Sequence, residues 1–357
     1  MENVTLIIII VAIVVIIALR LMLRSYRQRQ GGMKKSETPS LEKATPIASG
    51  VATEKEARLE KNEKTVEISH IYKSFGGKEV VKDVSFALAP GEVFGLVGPN
   101  GAGKTTTIRM LMDIIKPDSG EIGVFGQPLG EETKNRIGYL PEERGLYRKM
   151  RVSDSLVYLS SLKNVEVRVA KEQAEELLRQ VDMLPHKGKK ISELSRGMGQ
   201  IIQFLVTIAH NPDLIILDEP FAGLDPVNRQ LIKYIVLELK GKGKAVILST
   251  HMMNEVEEMC DRILMIDEGR VVLYGELAEI KWRFRNNSVF VECEGAIGEL
   301  DGVSGRKEHG KMVELFLDGE TPPQKILSQL VERNLRVDRF EVSTPSLNEI
   351  FIQVVKR

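Results

Sequence analysis

An α/β fold built on a parallel core sheet is what this sequence predicts, and three observations carry the prediction. The stretch Gly98–Thr106, GPNGAGKTT, fits the pattern G-x-x-x-x-G-K-[ST]. It follows an apolar run, Val93–Val97, that reads as a buried strand, and it leads into Thr106–Met112, which reads as a helix start. Apolar strand patterns then recur at Leu214–Leu217, Ala245–Leu248, Arg262–Ile266 and Val271–Tyr274. Strands that alternate with helical stretches call for a parallel sheet.

The glycine-rich stretch has a direct physical reading. Glycines let the backbone curl until several N–H groups point inward, and the following helix adds its positive end, so the turn suits a polyphosphate. Gly98, Pro99, Asn100, Gly101, Ala102, Gly103, Lys104, Thr105 and Thr106 are therefore the expected cradle of a nucleoside triphosphate. Lys104 would reach the β- and γ-phosphates, and the Thr105 hydroxyl would ligate Mg²⁺.

Length and composition set the frame. The chain has 357 residues, room for one domain of about 200 residues and smaller additions. Fifty basic residues balance fifty acidic ones, which argues against nucleic acid as a partner. Two cysteines, Cys260 and Cys293, make no disulfide framework and have no neighbour at metal-ligand spacing; both read as small core residues.

Taken from its start, the chain opens on residues 4–23, apolar but for Thr5 and Arg20 and long enough for one bilayer core. Six basic residues and no acid run from Arg20 to Ser36 (Arg20, Arg24, Arg27, Arg29, Lys34, Lys35). The expectation is a single-pass anchor with its N-terminus outside and the rest of the protein on the cytoplasmic face of the membrane. A cleaved signal peptide competes, but it should carry positive charge before the apolar run and a small-residue cleavage site after it. A buried core helix is a third reading, which the lack of any polar face disfavours. Residues 24–64 have the composition of a flexible linker: Gly31-Gly32, Pro39, Pro46 and a charged end, EKEARLEKNEK.

The globular part is expected from residue 65. Strands interrupted by turns fill Val66–Val124, with Lys73-Ser-Phe-Gly76 on a small antiparallel sheet. Residues 142–210 are mostly helical by period: Leu156, Leu159 and Leu162 share one face, and Ala174, Leu177, Leu178 and Val181 another. The nucleotide-binding unit is drawn as residues 65–287. From 288 to 357 the texture changes to a small α+β domain. It has strands at Val289–Cys293, Met312–Leu317 and Leu335–Val342 and a helix at Gln324–Arg333. A last helix, Leu347–Val355, is opened by the capping-box spelling Ser346-x-x-Glu349.

The acids that complete the chemistry end the strand pattern Leu214–Leu217. Asp218 at a strand's C-terminal end can hold Mg²⁺ beside the phosphate loop, and Glu219 can take a proton from an attacking water.

Four further stretches, in order, resemble the nucleotide-binding domain of ABC (ATP-binding cassette) ATPases, over about residues 66–285. Phe75 in KSFG is similar to the aromatic on which adenine stacks. Leu194-Ser-Arg-Gly197 resembles the signature sequence, Gly223-Leu-Asp225-Pro226 the dimer-contact loop, and Ser249-Thr-His251 the switch histidine. The resemblance implies two cassettes closing head to tail on ATP. Ser195 and Gly197 would then meet the partner's γ-phosphate, His251 would bond the γ-phosphate, and Asp225 would connect the two sites. Alone, each has a plainer reading: His251 as a polar cap, Asp225 as a turn residue, Phe75 as core packing.

Two departures stand out from the resemblance. Glu142, in YLPEERGLY, replaces the usual Gln of the loop joining core to helical block, and LSRGMGQ carries Arg196 and Met198 for the usual Gly and Gln. Glu142 would keep the coupling role and make it more dependent on Mg²⁺. The YLPEERGLY, LSRGM, GLDPVN and PSLNEIFIQVV spellings look like bacterial and archaeal exporter ATPases similar to sodium- and multidrug-export subunits, which carry a small C-terminal domain. The implied partners are a multi-span permease docking near residues 144–160 and a second cassette, in a homodimer. A membrane-anchored, non-transport ABC ATPase with a regulatory role is the alternative.

Overall fold

The inner strands of the central sheet are mostly apolar because both of their faces are covered. The computed structural model describes residues 64–143, 145–285, 287–319 and 321–355. Its main sheet has six strands in the order β5-β6-β7-β3-β8-β9: Ile137–Leu140, Leu214–Asp218, Ala245–Thr250, Val93–Val97, Arg262–Asp267 and Arg270–Glu276. All neighbours run parallel except β8 and β9. Every residue of β3, β6 and β7 is buried, as expected for parallel strands with helices on both faces.

Beside it lies a three-stranded antiparallel sheet, β2-β1-β4, made of Lys78–Leu88, Val66–Phe75 and Ser119–Val124. Only one face of this sheet packs inward, and β1 accordingly alternates, Val66, Ile68 and Ile71 buried and their neighbours less so. The Lys82 N–H donates to the Gly269 carbonyl at 2.8 Å, stitching β2 to the turn before β9. Buried Arg262 on β8 bonds the Ala87 carbonyl at 3.1 Å and the Tyr274 hydroxyl, so the two sheets share a polar rivet.

Helix α1 (Lys104–Leu111) leaves β3 through the glycine loop, and the short α2 (Glu131–Asn135) precedes β5. The helical block then holds α3 (Val152–Ser161), α4 (Val167–Gln180) and α5 (Arg196–Ile208). In α4, Ala170, Ala174 and Leu178 are buried at four-residue spacing, and Val181 follows them inward. In α3 the buried face is Val152, Ser155, Leu156 and Ser160; Leu162 lies just past the helix, 57% exposed, so it does not share the face expected for it. Helix α6 (Pro226–Gly241) follows β6, and α7 (Met253–Met259) follows β7.

Beyond β9 and α8 (Leu277–Arg283) comes a four-stranded antiparallel sheet in the order β11-β12-β10-β13: Val303–His309, Met312–Leu317, Ser288–Glu294 and Arg336–Val342. Helix α9 (Pro323–Glu332) covers it with Ile326 and Leu330. The last helix, α10 (Leu347–Val355), packs elsewhere. Its Leu347 and Ile350, both fully buried, share the main core with Val256, Met259, Leu277 and Ile280. The Leu347 N–H donates to Glu257 Oε1 at 2.6 Å, so α10 is fastened to α7. The expected capping box is present, the Glu349 N–H donating to Ser346 Oγ and the Ser346 N–H to Glu349 Oε2.

The expected anchor at residues 4–23 and nearly all of the linker lie outside the described residues. Among the described residues no helix is long and apolar enough to cross a membrane. The single-pass anchor is therefore corrected, and with it the outside N-terminus and the location on the cytoplasmic face: no described helix carries them.

Candidate functional site

The site forms where β3, β6 and β7 end together. Parallel strands leave their C-terminal ends on one edge, and the loops that follow them carry the chemistry. The glycine loop needs its glycines for close approach. A Cβ on Gly98 would stand 2.1 Å from the Ile266 carbonyl oxygen, and one on Gly103 2.8 Å from the Val80 oxygen, with φ at +111° there as well.

Lys104 is buried, and its ammonium donates to the carbonyls of Gly98 at 2.8 Å and Pro99 at 3.1 Å. Burial pulls its pKa down, while Glu219, then Asp218 and Glu142, hold it up. Three carboxylates predicted from sequence thus act on one lysine. Thr105 is half-buried on the first turn of α1, as is Thr106, while Asn100 and Gly101 are exposed at the loop's tip.

Asp218 ends β6 with Oδ1 accepting the Ser249 hydroxyl at 2.7 Å. Burial pushes its pKa up, against the hydroxyls of Ser249 and Thr105 and the charge of Lys104. Its Oδ2 is buried without a hydrogen-bond partner. An orphaned carboxylate oxygen beside a threonine hydroxyl is a hard-oxygen donor set of the kind Mg²⁺ takes.

Glu219 turns the chain sharply, a non-glycine residue at φ +50°. The turn brings its carboxylate under the end of β7. Oε2 accepts the Thr250 hydroxyl at 3.1 Å; Oε1 accepts the His251 N–H at 3.0 Å and meets His251 Nδ1 at 2.8 Å. Glu219 and the neighbouring histidine are therefore bonded to each other, with the histidine side chain half exposed at 51% and the glutamate nearly buried at 8%.

Phe75 closes β1 with 49% of its surface exposed and Lys73 Nζ 5.5 Å from its ring centroid. That exposure answers the core-packing reading.

A second group stands apart. Ser195 caps α5, its hydroxyl accepting the Met198 N–H at 3.3 Å, and is exposed. Asp225 caps α6 through the Val227 and Asn228 N–H groups, both 3.0 Å from Oδ1, and the Asn228 bonds hold its pKa below the usual carboxylate range. A Cβ on Gly197 would lie 4.0 Å from Asp225 Oδ2, so the Leu194–Gly197 and Gly223–Pro226 stretches adjoin within one chain. Among the described hydrogen bonds and ion pairs, none joins this group to Lys104, Asp218, Glu219 or His251.

Sequence reasoning passed over several residues that shape the site. Ser249 and Thr250 orient the two acids; polar groups ending an otherwise apolar strand, AVILST, were the available signal. Glu255, buried at 1%, bonds Lys233 and, at 3.2 Å, Arg229, tying α7 behind His251 to α6 behind Asp225. Gln200 and Gln203 lie buried in α5, a polar pair on an inward helix face. Exposed Glu142 sits in the loop after β5.

The comparisons with known proteins agree with this geometry. A family model described as ABC transporter matches residues 81–222, and one described as the C-terminal domain of DrrA1-3-like ATP-binding proteins matches residues 275–355. The chain is 40% identical over 291 residues to the uncharacterized ABC transporter ATP-binding protein YhaQ of Bacillus subtilis, covering 81% of this chain and 97% of that one. Over 306 residues it is 33% identical to the linearmycin resistance ATP-binding protein LnrL of the same organism, covering 82% and 98%. Over 301 residues it is 37% identical to the Nod factor export ATP-binding protein I of a Rhizobium strain, covering 82% and 97%. A solved structure of an ATP binding subunit of an ABC transporter superposes with a TM-score of 0.59 at 30% identity, covering 62% of this chain and 93% of that one.

Proposed function

The chain belongs to the ABC transporter family of ATP-binding proteins, and from that premise we propose that it energises an exporter by ATP-driven closure of two cassettes. It binds ATP and is an ATPase. The observation that carries the proposal is the division of the site residues into two groups. Carboxylates and histidine gather around Lys104, while Ser195, Gly197 and Asp225 stand at exposed helix starts with no described bond to them. A second copy, turned head to tail, would unite them. Each ATP then lies between one chain's phosphate loop and the other chain's α5, whose positive end faces the γ-phosphate.

Within that arrangement the roles follow from the contacts. Phe75 stacks on adenine, and Lys104 with the loop N–H groups holds the β- and γ-phosphates. Asp218, Thr105 and Glu142 would hold Mg²⁺, which supplies charge neutralisation when bound. Glu219 accepts the proton of the attacking water. His251, fixed through Nδ1 on Glu219, presents its other ring nitrogen to the γ-phosphate. Asp225, kept anionic, relays between the paired sites.

Export is favoured by two relatives described by Nod factor export and linearmycin resistance. A multi-span permease must supply the path. Exposed Tyr147 and Tyr158, edge to face at 6.1 Å, offer it an aromatic patch close in the chain to the loop of Glu142. The test is to purify the tagged full chain in mild detergent and reconstitute what accompanies it. A stoichiometric multi-span protein that stimulates the ATPase is expected; recovery with ribosomal or DNA-bound partners alone would overturn the transport assignment.

A further inference from the structure

Helix α5 does more than present Ser195. Seen from its polar residues, it also reaches both loops that serve the ATP of its own chain. Gln200 donates to the Pro220 carbonyl at 3.5 Å, one residue past Glu219. Gln203, 5% exposed, donates through Nε2 to the Pro141 carbonyl at 3.4 Å and the Glu143 carbonyl at 3.1 Å. A primary amide has two N–H donors, and here each is given to a carbonyl flanking Glu142. The 141–143 stretch belongs to no helix or strand, so no regular ladder takes up these carbonyls. A buried amide in an apolar surrounding is costly unless bonded, so the Gln203 side chain and this loop hold each other in place.

We propose that Gln203 is a positioning residue that sets the place of Glu142 and makes it follow α5. The same rigid helix carries Ser195 at its N-terminus, eight residues and about two turns away. A rotation of α5 as Ser195 engages the partner's nucleotide would therefore drag the loop of Glu142 against the chain's own nucleotide. The link couples the two ATP sites through a side chain, in addition to any contact across the dimer. It rests on the role given above to Glu142 and adds the means by which that role is transmitted.

The test is a double-mutant cycle on the full chain with Glu142→Ala, Gln203→Met and the pair. Methionine keeps the length and removes both donors. ATP affinity is measured by binding with and without Mg²⁺, ATPase by steady-state turnover, and loop order by amide exchange across residues 141–147. Gln203→Met is expected to raise exchange in that peptide and to shrink the Mg²⁺-dependent part of ATP affinity by roughly three- to ten-fold, in the lower part of the range of a coupled neighbour pair. The double variant should then bind and turn over ATP as Glu142→Ala alone does. If the two effects multiply instead, or if exchange in 141–147 is unchanged, Gln203 does not act through Glu142 and the inference is overturned. If Glu142→Ala itself leaves both Mg²⁺ response and turnover intact, the role of Glu142 fails first, and that result is distinct from the other two. Should the methionine variant not fold, Gln203→His, which keeps one ring donor, is put through the same cycle. It must then be non-multiplicative with Glu142→Ala for the proposal to stand.

Discussion

Replacing Glu219 by Gln separates chemistry from structure at the place where the two are closest. The amide keeps the length and the Oε1 oxygen, so the acceptor of the His251 N–H at 3.0 Å and of the Nδ1 contact at 2.8 Å survives. At the other end an NH₂ replaces Oε2 and faces Thr250 Oγ1, which already accepts the Met252 N–H at 3.1 Å. One charge-assisted hydrogen bond is thus lost, worth about 1.5–3 kcal/mol. Part of that returns, because the change also removes a charge that pushes up neighbouring Asp218. Folding stability should fall by no more than about 1–2 kcal/mol. The rate should fall much further. A general base contributes about 10²–10⁴-fold, roughly 3–5 kcal/mol of barrier, and an amide oxygen, though it still accepts hydrogen bonds, is far too weakly basic to take a proton at neutral pH. The assay is steady-state ATPase beside thermal melting and light scattering with ATP. A 100-fold or greater loss, by the same base arithmetic, with an ATP-dependent dimer retained is expected. Turnover within about ten-fold of wild type, or a monomer in saturating ATP, would refute the reasoning. Glu219 is also the foremost charge holding Lys104 protonated against its burial. The alkaline limit of ATP binding should therefore move to lower pH in the variant.

Three further outcomes are expected. Phe75→Ala should weaken ATP binding by up to about ten-fold, the worth of one ring stack, and leave melting within about 0.5 kcal/mol because the ring is already half exposed. Leu347→Ala should destabilise the main cooperative unfolding transition by about 2–5 kcal/mol, as a cavity in a shared core requires; a loss confined to a separate minor transition would contradict the packing of α10. His210, with Nε2 3.1 Å from the Ile137 carbonyl oxygen, has its pKa lowered by burial from 6.5 to about 4. The unfolded chain therefore takes up the proton first, so its contribution is fully present above pH 6.5 and is lost as pH falls towards 4. The loss is at most about 3 kcal/mol, and His210→Gln should flatten the denaturant-stability slope in that window.

The elements whose identity rests on local chemistry were legible in the sequence. The glycine loop, the apolar runs of β3, β6 and β7, and the Ser346–Glu349 cap all announce themselves within a few residues, and their physics is local. Strand β11 was missed because Val303–His309 is an edge strand with mostly exposed, charged residues, so no alternation marks it. Leu162 misled because spacing counts leucines without knowing where the helix stops. Residues 4–23 were read from hydropathy and the run of basic residues after them, and among the described residues no helix is long and apolar enough to cross a membrane. Among site residues, Lys104, Asp218 and Glu219 follow from motif chemistry. Ser249, Thr250 and Gln203 gain their roles only from what the fold sets opposite them. No spacing rule reports that Gln203 faces a loop some sixty residues earlier.

The seating of α10 in the main core has a consequence for how the protein comes into being. A chain leaves the ribosome from its N-terminus, at about 5–20 residues per second, and the side chains assigned to the nucleotide site are all out by His251. The wall made by Val256, Met259, Leu277 and Ile280 appears soon afterwards, but Leu347 and Ile350, which cover it, come some seventy residues later. For roughly 4–14 seconds of each synthesis an apolar floor stands bare beneath a finished catalytic top. During that interval the nascent chain is most exposed to association with its neighbours, and the last nine residues of α10 bring it to an end.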